Sequence, residues 1–184
     1  MAEIKSTLEL ALERSKKFSL SEKDKEEIKQ KEIQEKILRL FYRYQKGDLH
    51  LHEIQKELDR MGEERRRAVQ EGLLLCWIDE LSLEGENENI LKGIEWLQDR
   101  TLDEVRVELR TLGIQYQSEA EQIKQEVRAQ MLEALREEGF GGDALEPHLE
   151  ASDVWQKALA PLKRNYFIRL RGLKDRLKSY KKGK

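Results

Sequence analysis

Thr101–Glu138 reads TLDEVRVELRTLGIQYQSEAEQIKQEVRAQMLEALREE, and this stretch decides the fold. Its apolar residues fall at Leu102, Val105, Leu109, Leu112, Tyr116, Ala120, Ile123, Val127, Met131 and Leu135, each three or four positions after the last. That spacing keeps a single stripe on one face of an α-helix from end to end. Thr101-Leu102-Asp103-Glu104 has the form of a capping box, with the threonine accepting from the Glu104 N–H while the glutamate reaches back. Gly139 is the next stop signal. A helix of this length extends about 55 Å at ~1.5 Å per residue. A stripe so long needs a neighbour of similar length to bury it.

Residues 154–180 supply that neighbour. Trp155, Leu159, Leu162, Tyr166, Leu170, Leu173, Leu177 and Tyr180 again step by three or four. The expected fold is all-α: an elongated helical bundle built on a long antiparallel coiled-coil-like hairpin, Leu102–Glu138 against Asp153–Tyr180. The connection, Gly139 to Ser152, contains Gly139, Gly141, Gly142 and Pro147. Pro161 falls inside the second arm, where it removes a helical hydrogen bond, so a kink is expected near Lys157–Pro161.

Before the hairpin, shorter amphipathic segments follow one another. Residues 1–20 form a mobile or docking segment with Ile4, Leu8 and Leu12 on one face. Alone it is too short to persist as a helix in water. Ser19-Leu20-Ser21-Glu22 resembles a second capping box. Glu27–Lys31, Glu32–Lys36 and Glu35–Arg39 can pair at i, i+4 through a polar stretch in which Ile28 and Ile33 face outward. Helices are then expected up to Gly47, over Asp48–Met61, over Glu63–Leu83 and over Ile90–Gln98, the last capped by Asn87 or Asn89. Residues 21–184 read as a single helical domain, the earlier helices lying on part of the hairpin.

Composition agrees with this. The chain has 184 residues, 39% of them charged, and only two prolines. Cys76, the sole cysteine, allows no internal disulfide and reads as a buried thiol within Leu73–Trp77. The opening residues carry no signal-peptide pattern, and no apolar run approaches the ~20 residues of a membrane span, so the expected location is the cytoplasm.

The sequence offers little to catalysis. His50, His52 and Glu53 are the nearest approach to a metal cluster, with His148 far away in the chain. On a helix two rings at i, i+2 diverge by ~200°, so His50 as N-cap and Glu53 at the third helical position is the simpler reading. Gly139-Phe140-Gly141-Gly142 lacks the lysine and the strand-to-helix setting of a phosphate loop. No serine, cysteine or lysine stands in a nucleophile motif. Arg65-Arg66-Arg67 spreads over ~200° of helix and reads as a salt-bridged outer face, Arg67 with Glu71. Trp77, Trp96 and Trp155 read as fillers between helices. No enzyme activity, cofactor or metal is expected.

Charge is unevenly spread. Residues 163–184 hold ten of the 35 Lys and Arg and one of the 37 Asp and Glu, leaving 25 basic and 36 acidic side chains before them. A basic amphipathic arm follows: Lys163, Arg164, Arg169, Arg171, Lys174, Arg176, Lys178, Lys181, Lys182 and Lys184 around Tyr166, Leu170, Leu173 and Leu177. Two uses are open. Acidic residues of the facing helix, Glu104, Glu108, Glu119 and Glu121, can neutralise the arm, which leaves a protein-binding scaffold. Alternatively the arm binds RNA or DNA, although the acidic body repels phosphate and stacking aromatics are sparse beyond Tyr166, Phe167 and Tyr180.

Residues 1–14, MAEIKSTLELALER, resemble the start of a group of uncharacterised bacterial proteins. The resemblance implies a bacterial cytoplasmic protein and carries over no activity, partner or site. The expectation is thus a non-enzymatic helical scaffold or adaptor that acts through protein–protein contacts. Ile4, Leu8 and Leu12 would serve self-association as a homodimer.

Overall fold

The computed structural model describes residues 21–140, 149 and 152–180. Those residues form six helices and no strand: α1 (Glu22–Gln45), α2 (Leu51–Asp59), α3 (Glu63–Glu80), α4 (Glu88–Gln98), α5 (Asp103–Glu137) and α6 (Asp153–Ser179). They group into two compact units, divided between Leu73 and Leu74.

In the first unit, α1 begins later than the expected box would place it. Ser21 is the cap, accepting from the Asp24 N–H at 3.1 Å while the Asp24 carboxylate accepts from the Ser21 N–H at 3.0 Å. Ser19 lies outside the described residues. Ile33, Ile37, Leu40 and Phe41 form the buried face of α1 and meet Leu49, Ile54, Leu58, Val69 and Leu73 in the core. Ile33 therefore faces inward rather than outward, because it opens the same three–four stripe; Ile28 stays exposed. Gly47 ends the helix with φ of +77°, a conformation that costs glycine no Cβ clash. The anticipated Glu32–Lys36 pair gives way to contacts between helices. Glu32 accepts from Arg65 at 3.1 Å, and Lys36 pairs with Glu57 on α2. Arg67 does pair with Glu71, at 3.0 Å.

In the second unit, Trp77, Ile78 and Leu81 meet Ile90, Leu91, Ile94 and Leu102 in a buried core. Trp77 packs where α4 has Gly93: a Cβ there would stand 2.9 Å from the indole ring. Cys76 is only half-buried, since its neighbours Trp77 and Ile78 take the buried face of this turn of α3. Asn87 begins α4 without a side-chain cap bond. Its amide instead clips the preceding turn, accepting from the Ser82 N–H at 2.9 Å and donating to the Ser82 carbonyl at 2.7 Å.

Thr101 does not cap the long helix. Leu102 occupies the N-cap and is buried, and its N–H goes to the Glu95 carboxylate at 2.7 Å. Glu95 also receives Arg106 at 3.2 Å, and Arg106 reaches Asp103 at 2.8 Å and Glu88 at 3.1 Å. A carboxylate from α4 thus takes the N-cap N–H, the part the box would give Glu104, because tertiary packing fixes Leu102 inward.

Helices α5 and α6 pack together as the expected hairpin. Leu109, Leu112, Tyr116 and Val127 on one arm and Leu159, Leu162, Tyr166, Leu170, Leu173 and Leu177 on the other are buried. Burying a leucine fully contributes about 1.5–3 kcal/mol, so these stripes dominate the pairing. Partners run in opposite senses: Glu119 meets Tyr166, Gln115 meets Arg169 and Glu108 meets Arg176. Tyr116 and Tyr166 contact edge to face at 5.6 Å. Helix α6 runs continuously through Pro161.

Candidate interaction surface

Seven of the basic residues singled out on the second arm fall within α6, and the fold gives them different surroundings. Arg176 donates to Glu108 of α5 at 2.5 Å. Lys178 donates to the Asp79 carboxylate at 2.5 Å, and Lys174 to the Asp79 backbone carbonyl at 2.7 Å. Burial pushes the Lys174 ammonium below the ordinary lysine range, an effect that nearby Asp79 opposes. Arg169 lies 5.1 Å from the Tyr166 ring centre and reaches Gln115 at 3.4 Å. Arg171 leans on Asp175 along its own helix at 3.9 Å. Lys163 and Arg164 make no ion pair among the described residues. Lys181, Lys182 and Lys184 lie outside the described residues, as do Ile4, Leu8 and Leu12.

Four of these cations, Arg171, Lys174, Arg176 and Lys178, thus have an acidic or backbone-carbonyl partner from the same unit. Of the acids expected to neutralise them, Glu108 does so. Glu119 instead takes the Tyr166 hydroxyl at 2.7 Å, and Glu121 takes Gln125 at 2.6 Å. Asp79 was not foreseen. It follows the buried Ile78 near the end of α3, and a separation of 95 residues from Lys174 leaves no local trace in the sequence. Arg106 pairs locally with Asp103, but its bonds to Glu95 and Glu88 depend on how α4 packs against the start of α5.

His50 is the N-cap and Glu53 the third helical residue, as the sequence reading has them. As the cap, His50 is not helical, so the ~200° divergence does not apply, and the two rings stack at 5.8 Å. The Glu53 carboxylate accepts from the His50 N–H at 2.8 Å, which holds Glu53 below the usual carboxylate range. His148 lies outside the described residues. Among the described residues no group of three or more His, Cys, Asp or Glu is placed to hold a metal ion. Trp77 is fully buried, whereas Trp96 and Trp155 are half-buried.

Large apolar side chains remain on the outside of the hairpin: Val107 and Ile114 on α5, and Val154, Phe167 and Ile168 on α6. Among the described residues no helix is long and apolar enough to cross a membrane. No family model, curated protein or solved structure matches the chain.

Proposed function

We propose that the protein is a non-enzymatic helical scaffold or adaptor that acts through protein–protein contacts. The observation that carries this reading is the pairing of Lys178 with Asp79 and of Arg176 with Glu108. Phosphate must compete with carboxylates already in place, so fewer counterions are released when a polyanion binds there. The apolar residues left on the outer faces of α5 and α6 favour a protein neighbour over a charged polymer. The basic arm as an RNA- or DNA-binding element is the second reading. It rests on Lys163 and Arg164, which make no ion pair among the described residues. Ile4, Leu8 and Leu12 are proposed to add a homodimer contact.

Titration of labelled single-stranded RNA and of duplex DNA at rising salt separates the two. The adaptor reading expects no binding near about 50 mM salt, where phosphate contacts are strong. Binding that falls steeply with salt and vanishes when Lys174, Arg176, Lys178, Lys181 and Lys182 become Gln would establish the nucleic-acid reading instead.

A further inference from the structure

Helix α6 carries a second pattern, on the side away from its buried stripe. Val154, Pro161 and Ile168 recur every seven residues, and Lys157, Arg164 and Arg171 recur every seven residues, three positions after each. At ~100° per residue these six positions share one face, opposite the Leu159–Leu177 stripe. The face is open: Val154 is 49% exposed and Ile168 64%. Lys157, Pro161, Arg164 and Ile168 line one shallow groove. Neither Lys157 nor Arg164 makes an ion pair among the described residues, and Arg171 has only the exposed Asp175 at 3.9 Å. Pro161 has no N–H to give the Lys157 carbonyl, so that carbonyl loses its helical donor within the groove's own lining.

An apolar row alternating with a charged row at heptad spacing is what one helix presents to another. The charges decide which helix. The same face on a second copy would set Lys157, Arg164 and Arg171 against one another in either orientation, and like charges in register repel. A phosphate backbone would meet cations about 10.5 Å apart, at ~1.5 Å rise per residue, with aliphatic side chains between them that cannot stack on bases. We infer that this face is the docking surface for an acidic amphipathic helix of a partner protein. Its apolar residues would cover Val154, Pro161 and Ile168, and its carboxylates would meet Lys157, Arg164 and Arg171. The inference rests on the adaptor reading and names the partner's chemistry.

The test uses the full chain and a fluorescein-labelled three-heptad peptide with leucine at the first and glutamate at the fourth position of each heptad. A shuffled peptide of the same composition and a peptide with lysine in place of the glutamates serve as controls. Fluorescence anisotropy should show the leucine–glutamate peptide binding at least tenfold more tightly than either control. Ile168→Glu and Arg164→Glu should each weaken it tenfold or more. The double variant Lys157→Glu/Arg164→Glu should come to prefer the lysine peptide. All these positions are exposed, and circular dichroism checks that the helices persist. Equal binding of the shuffled peptide, or affinity unchanged by Ile168→Glu and Arg164→Glu, would overturn the inference. A single-stranded RNA titrated in parallel separates the two levels. RNA binding lost on Lys157→Glu/Arg164→Glu overturns the adaptor reading as well, whereas absence of both peptide and RNA binding overturns only the assignment of this face.

Discussion

The Tyr166 hydroxyl donates to the Glu119 carboxylate at 2.7 Å, across the hairpin and beside the Tyr116 ring. Tyr166 is almost fully buried, so this bond ties two arms together at the middle of their shared stripe. Tyr166→Phe should cost about 1.5–3 kcal/mol, the net worth of a hydrogen bond to a charged group. Tyr166→Ala should cost about 3–5 kcal/mol through the cavity it leaves. Urea midpoints of the two variants check both figures. The bond to Glu119, with burial and the glutamate's charge, raises the Tyr166 pKa. A raised folded-state value means stability is held in full below the ordinary tyrosine pKa of about 10 and lost as pH rises through the folded-state value. Tyr166→Phe should therefore lose part of the wild type's alkaline destabilisation.

Two glycines on the hairpin should respond in opposite directions. At Gly172, inside α6, a Cβ would meet nothing within 4 Å, whereas a Cβ on Gly113 of α5 would stand 2.7 Å from the Leu83 backbone carbonyl. Gly172→Ala should stabilise by about 0.5–1 kcal/mol through helix propensity. Gly113→Ala should destabilise by about 1–3 kcal/mol, since a backbone atom must give way. Thermal melts of the pair test the close approach directly.

Gln98 is the one buried polar side chain among the described core residues, and its amide donates to the Leu177 carbonyl at 2.9 Å. That carbonyl belongs to the last turn of α6, where no helical N–H remains for it. The Gln98 side-chain oxygen accepts from Arg100 at 2.9 Å. Gln98→Leu should cost about 1–3 kcal/mol by leaving both the carbonyl and Arg100 without this partner. Amide exchange should quicken at the end of α6 before it does at Leu162.

Much of this architecture was legible because periodicity is a property of single helices. The stripes at Leu109, Leu112 and Tyr116 and at Tyr166, Leu170 and Leu173 could be matched by length alone. Where α5 begins was misjudged, because Thr101-Leu102-Asp103-Glu104 satisfies a local rule while the outcome was set by Glu95 and by burial of Leu102. Ile33 was misplaced because it lies in a polar stretch whose inward face appears only with α2 and α3 in position. On the basic arm, Glu108 could be anticipated from the facing helix. Asp79 could not, since its pairing depends on packing remote from it in sequence.

Self-association gives a further expectation. Ile4, Leu8 and Leu12 are proposed to pair between copies. Sedimentation at micromolar concentration should show a dimer that weakens when residues 1–15 are deleted, and a monomer indifferent to the deletion would refute it.

Internal neutralisation of the basic arm is the claim on which the functional reading depends, and one measurement reaches it directly. Labelled single-stranded RNA is titrated at about 50 mM salt against the wild type and against Asp79→Asn/Glu108→Gln, which releases Lys178 and Arg176 from their carboxylates. Neutralisation predicts no measurable binding by the wild type and salt-sensitive binding by the double variant. Wild-type binding as tight as the variant's, with the same steep salt dependence, would contradict it.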